Sequence, residues 1–196
     1  MQPLIDHARS FRKQCTERPE EFARLAQGQS PQVLFITCSD SRVVPALITG
    51  ARPGELFELR TAGNIVPPYG SQQPTGEAAT IEYAVEVLGV QDIVVCGHSH
   101  CGAVGALVRG DDLTAVPAVR DWLAHAAPRP DGAPGDPAVA EAVQSHVLTQ
   151  LLRLRSYPCV EQRLNDGRLR MHGWFYEVHT GSVLAHDGPS DSFLEL

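Results

Sequence analysis

The chain has 196 residues, 43% of them hydrophobic and 20% charged, the composition of one ordinary globular domain with material for a single core. A formal net charge of −7 argues against a nucleic-acid or anionic-membrane surface, because either partner needs a basic face to replace released counterions. No apolar run approaches the roughly 18 to 20 residues that span a bilayer, and Met1 to Arg12 is too polar for a signal segment. Five cysteines are an odd count in no disulfide spacing, so reduced thiols and a cytoplasmic setting are expected, with small molecules and a second copy as partners.

In chain order, Leu4, Ile5, Ala8, Phe11, Phe22 and Leu25 are spaced for helix faces broken near Pro19, which predicts an N-terminal helical arm over 1–27. The remainder, 28–196, reads as the core of a single domain spanning 1–196. Val33-Leu34-Phe35-Ile36 is a continuous apolar run suited to a strand buried on both faces. Glu55 to Arg60 predicts a second strand and Asp92 to Cys96 a third. Between them, Thr75-Gly76-Glu77 opens a helix that runs to Leu88 and stops at Gly89. Pro117 and Pro137 suit the first turns of two more helices separated by the loop Pro128 to Gly135. Leu169 to Val178, a Thr180-Gly181 turn and Val183 to Ala185 predict a terminal hairpin. Alternation of strand and helix gives an α/β fold: a central, mostly parallel β-sheet flanked by helices, with an antiparallel edge hairpin at the C-terminus.

Two clusters carry chemistry: Cys38-Ser39-Asp40-Ser41-Arg42 after the first strand and His98-Ser99-His100-Cys101-Gly102 after the third. Both fall at carboxyl ends of predicted parallel strands, where open α/β sheets bind ligands. Singly, each is weak, since a lone cysteine is most often a small buried hydrophobe. Together they supply two thiols, one imidazole and one carboxylate, a set suited to tetrahedral zinc.

The pattern CSDSRV, followed some sixty residues later by GHSHCG, resembles the CxDxR and HxxC signature of the β-class carbonic anhydrases. PGELFELRTAGNIVPPY, IEYAVEVLGVQDIVVCGH and HGWFYEV extend the similarity over most of the chain from Gln29 onward. The resemblance implies Zn2+ held by Cys38, His98 and Cys101, and reversible hydration of carbon dioxide to bicarbonate and a proton. In it, zinc-bound hydroxide attacks while the Asp40–Arg42 dyad orients it. The matching carboxylate in this family also occupies a closed state, with Asp40 as fourth ligand. Gln29 would donate to the substrate, while Phe57, Ala62, Tyr83 and Gly102 would line the pocket, some of it contributed across the interface of a homodimer or dimer of dimers. Ala62 stands where a valine is common.

Other residues have plainer readings. His100 is taken as a loop residue beside the ligands, Cys96 as core, and Cys15 and Cys159 as helix residues. Gly63-Asn64 marks a tight turn, and Phe57 and Tyr83 would otherwise read as core aromatics. Some bacterial relatives carry an inhibitory bicarbonate site that uses a tryptophan, an arginine and a tyrosine; Arg60 and Tyr176 match the last two, but Phe35 replaces the tryptophan and its indole N–H. Rival functions are hydrolysis of carbon disulfide or carbonyl sulfide on the same scaffold, and a non-catalytic zinc protein in which Asp40 closes the site.

Overall fold

The computed structural model describes residues 1–70, 74–126 and 140–196. Two helices, α1 (Gln2–Glu17) and α2 (Pro19–Leu25), form the arm, broken at the predicted proline. β1 (Val33–Cys38) is buried along all but its first residue because parallel strands flank it, β2 (Leu56–Thr61) on one side and β3 (Asp92–His98) on the other. β4 (Arg170–Tyr176) pairs parallel with β3, and β5 (Val183–Asp187) turns back antiparallel. A further strand, β6 (Ser192–Glu195), pairs with β5 and forms the actual edge, giving the order β2-β1-β3-β4-β5-β6. The predicted hairpin is therefore a three-strand meander. Short β6, with one half-buried residue, lacked a pattern strong enough to read.

Helices connect the strands: α3 (Pro45–Thr49), α4 (Gly76–Glu82), α5 (Gly102–Arg109), α6 (Pro117–Leu123), α7 (Ala140–Leu154) and α8 (Pro158–Asn165). Thr75 caps α4 by accepting from the Ala78 N–H, as its place before Gly76-Glu77 predicts. The helix widens into a π-type turn over Tyr83–Leu88 before ending at Gly89. Pro117 starts α6, whereas Pro137 and the loop Pro128 to Gly135 lie outside the described residues. Among the described residues no helix is long and apolar enough to cross a membrane.

Alternation along the strands sorts side chains between two faces. Leu34, Ile36, Ile93 and Val95 join Ile81, Val147, Leu154 and Val160 in the main core. Phe35, Val94 and Cys96 line the other face with Trp174 and Tyr176, Phe35 meeting Trp174 edge-on at 5.9 Å. α7 crosses the first face without a spacer: a Cβ on Gly97 would lie 2.6 Å from Val143 and 2.7 Å from Val147. That close approach brings the side chains of α7 near the carboxyl ends of the strands.

Candidate metal centre

Cys38 is the last residue of β1 and His98 the last of β3. Chain order reverses at β1, so the crevice between β1 and β3 opens where a doubly wound sheet takes its ligand. Cys101 caps the start of α5. The sulfurs of Cys38 and Cys101 and a ring nitrogen of His98 lie within 4.8 Å of one another, all three residues being buried. Tetrahedral zinc with bonds of about 2.0–2.3 Å holds its ligand atoms roughly 3.5–3.8 Å apart. Side-chain adjustments of under an ångström or so separate the two arrangements.

An orphaned atom shows that the cluster suits a cation. His98 Nε2 is buried without a hydrogen-bond partner, while Nδ1 sits 2.9 Å from the Ser99 carbonyl. A carbonyl only accepts, so Nδ1 carries the proton and Nε2 offers its lone pair. Leaving such an atom unanswered costs about 1–3 kcal/mol, which a metal bond removes. Ser99 is itself fixed, donating its N–H to Tyr176 O and accepting at Oγ from Val178 N–H, so β4 sets the His98 loop. The Cys101 thiol donates to Cys38, which holds Cys38 down to about 4 and, with burial, pushes Cys101 up. Two soft sulfurs and an imidazole are the donor set of zinc.

Asp40 is turned toward Arg42. The guanidinium grips it with two bonds, Nε to Oδ1 at 3.0 Å and Nη2 to Oδ2 at 2.7 Å, and the Arg42 amide adds a third at 2.9 Å. Arg42 also reaches the His100 carbonyl at 3.1 Å, tying the two motif loops together. This guanidinium holds the Asp40 carboxyl well below the usual carboxylate range, so it is ionised at any neutral pH. Its Oδ2 stays 3.9 Å from His98 Nε2.

The loop behind Asp40 is clamped by Arg60, whose guanidinium donates to the carbonyls of Cys38, Asp40 and Val43. Gly63 N–H donates to Cys38 Sγ at 3.4 Å. His100 is exposed in a left-handed conformation, φ 59°, its ring edge-on to His179 at 6.5 Å. Cys96 is core, its thiol pushed up to about 12 by burial.

The pocket residues divide. Ala62 and Gly102 sit at the carboxyl end, Ala62 in the turn Ala62–Asn64 and Gly102 next to Cys101. Phe57 pairs in register with Leu34, four residues before Cys38 and so about 13 Å back along the sheet. Tyr83 stands against Phe57, ring centroids 5.9 Å apart, and exposed Gln29 precedes the amino end of β1. One chain thus gathers Cys38, His98, Cys101, Asp40, Arg42, Ala62 and Gly102, and leaves Gln29, Phe57 and Tyr83 at the far end. The sequence reading did not single out His146, Gln150, Arg153 or Tyr157, which bond to the segment carrying Gly63; polar residues recurring on one face of an otherwise apolar helix were the available sign.

Comparison with known proteins agrees with this chemistry. The family model for carbonic anhydrase matches residues 33–183. A carbonic anhydrase of Pseudomonas aeruginosa is 48% identical, the match covering 100% of this chain and 92% of that protein. The solved β-carbonic anhydrase CcaA superposes with a TM-score of 0.90 at 40% identity, covering 100% of this chain and 99% of the other. A tetrameric β-carbonic anhydrase from Sordaria macrospora gives 0.78 at 28% identity, over 93% and 94% of the two chains. A zinc-type Cys-His-Cys cluster at the sheet's switch point, on a chain matched over its whole length, makes this protein an enzyme of carbon dioxide hydration and a member of the β-class carbonic anhydrases.

Proposed function

We propose that Cys38, His98 and Cys101 hold the zinc, that Asp40 aims the attacking water, and that Arg42 keeps Asp40 free to do so. The observation carrying this reading is the doubly bonded Asp40–Arg42 pair beside the orphaned His98 Nε2. When bound, zinc acts as a Lewis acid that makes water nucleophilic near neutral pH. Asp40, ionised and immobilised, accepts a hydrogen bond from the attacking oxygen and so directs its lone pair at the substrate carbon. Were Asp40 to leave Arg42 and become a fourth ligand, the site would close. The Cys38 and Cys101 thiolates match the charge of the ion, so water is activated less than beside the three neutral imidazoles of a three-histidine zinc site, and turnover rises toward alkaline pH.

The working pocket takes Gln29, Phe57 and Tyr83 from a second copy, since one chain keeps Phe57 about 13 Å from Cys38 along the strands, with Tyr83 against it and Gln29 before the amino end of β1. Gln29 donates to a substrate oxygen, and the aromatic pair excludes water from an apolar substrate. Helix α1 supports a homodimer: none of its residues is buried, Leu4 being 69% and Phe11 46% exposed. The sheet face bearing Phe35, Leu56, Val94 and Trp174 also lines a cavity of about 650 Å³, away from the metal ligands. Two such dimers would form the tetramer known for the Sordaria macrospora relative. Five free cysteines suit a reducing, cytoplasmic setting.

Stopped-flow hydration from neutral to alkaline pH, with zinc measured on the same sample, tests the reading. Zinc-dependent turnover that climbs with pH is expected; stoichiometric zinc without turnover at any pH would sink the open-site assignment.

A further inference from the structure

α7 packs on the sheet through valines and leucines, yet His146, Gln150 and Arg153 recur along one of its faces, and Tyr157 continues the row beyond its end. His146 is 5% exposed, and Gln150 and Tyr157 are fully buried. Burying such polar groups costs free energy that hydrogen bonds offset. All four bond to one short segment. His146 Nε2 lies 2.8 Å from Gly63 O, Gln150 Oε1 accepts from Val66 N–H at 3.0 Å, Arg153 donates to Val66 O at 3.2 Å, and Tyr157 donates to Pro67 O at 2.8 Å.

That segment needs holding. Gly63 has φ 71° and the following Asn64 φ 47°, two left-handed residues in succession, the second disfavoured for a residue with a Cβ. Its orientation matters because Gly63 N–H, at the start of the same turn, points at the Cys38 sulfur. The proton positions follow from the partners. Gly63 O only accepts, so Nε2 of His146 is protonated; bare Nδ1 then faces Gln150 Nε2 at 3.4 Å, and Gln150 is oriented by the Val66 N–H on its oxygen. Burial lowers the His146 pKa and keeps the ring neutral, as this pattern requires.

We propose that His146 and Gln150 are positioning residues for the metal centre: by gripping Gly63 O and Val66 N–H, they hold the left-handed turn so that Gly63 N–H stays on the Cys38 thiolate. An N–H on a ligating sulfur fixes its direction and draws charge from it, the ordinary work of groups behind a metal ligand. The role rests on Cys38 being a ligand. Arg153 and Tyr157 anchor the far end of the segment, so the turn is held at both ends.

The test compares His146→Leu, which fills the space without a donor, with His146→Gln, whose amide reaches the same carbonyl. His146→Leu is expected to bind zinc about 10- to 100-fold more weakly in competition with a chromophoric chelator, and to shift the sulfur-to-metal charge-transfer band of cobalt-loaded protein. His146→Gln should restore most of both. A folded His146→Leu protein with wild-type zinc affinity and an unmoved cobalt band overturns the proposal. Should His146→Leu not fold, nitrogen NMR of zinc-loaded wild type decides: a neutral ring protonated on Nε2 is expected, and a proton on Nδ1 overturns it. Cys38→Ser, measured alongside, separates the two readings. Full zinc affinity there sinks the ligand assignment and this role with it, whereas zinc lost there but unchanged in His146→Leu sinks the positioning role alone.

Discussion

The two ends of β3 carry the same three residue types in opposite conditions. At its amino end, Asp92 accepts from Arg170 at 2.7 and 2.8 Å and lies 2.8 Å from His172 Nε2, with Arg170 68% exposed. At its carboxyl end, Asp40 belongs to Arg42, while His98 is fully buried with Nε2 unanswered 3.9 Å away. The first set is complete and wet; it needs nothing further. The second leaves a buried lone pair unsatisfied beside two thiols, and that incompleteness marks the site. An aspartate, an arginine and a histidine in proximity say little about chemistry until their bonds are counted.

The strongest way to break the comparison is Cys38→Ser. If the carboxyl end is the metal centre, zinc falls far below one per chain and hydration drops to the uncatalysed background, measured by metal analysis and stopped flow; full zinc and full turnover would remove the distinction between the ends. Next in size is Arg42→Gln, which releases Asp40 without touching a ligand. Hydration is expected to fall about 100-fold, the usual order of loss when an aiming group moves by an ångström. Loss of zinc instead would mean that Arg42 acts on the fold rather than through Asp40.

A smaller effect sharpens the two-chain reading. Gln29→Ala and Cys38→Ser, each weak or inactive alone, should recover activity when unfolded and refolded together, because each mixed dimer rebuilds one intact pocket. Random pairing sets the recovery at about one quarter of wild type; activity no greater than the sum of the separate variants would place each pocket in one chain.

The smallest effect belongs to the amino end. Arg170, then His172, hold the Asp92 carboxyl below its ordinary value. A depressed carboxyl contributes stability above its unfolded pKa, about 3.9 for aspartate, and loses it as pH falls through the folded value. With Arg170 mostly in solvent, the contribution is at most about 1 kcal/mol. Asp92→Asn should therefore lower stability slightly at pH 7 in urea titrations, and the gap should close in acid while zinc content and hydration stay near wild type. A gap that widened in acid would reverse the sign.

The parts of the fold set by short-range pattern were legible in the sequence. The Val33 to Ile36 run, short, apolar and partly β-branched, suited a doubly covered strand, and the motifs that follow Ile36 and Cys96 inherit the strands' direction. Thr75 marked its helix through one side-chain bond. What stayed hidden depends on distant partners: His146 answers Gly63 and Tyr157 answers Pro67 across 83 and 90 residues. No local periodicity shows which carbonyl a buried histidine will meet. β6 escaped notice because two hydrophobic residues at an edge, Phe193 and Leu194, are too few to set a period. The separation of Gln29 and Phe57 from Cys38 could have been counted along the strand once its register was known.

The turn behind Cys38 also constrains how this sequence drifts. A Cβ at position 63 would lie 2.9 Å from the Cβ of Ala103, closer than two such carbons approach. That clash adds to the strain that φ 71° already imposes on any residue with a Cβ, so position 63 is held as glycine twice over: shrinking residue 103 would remove the clash and leave the backbone strain. Drift is therefore one-sided: residue 103 can lose its methyl group without releasing position 63, whereas a change at 63 disturbs the backbone that aims an N–H at Cys38.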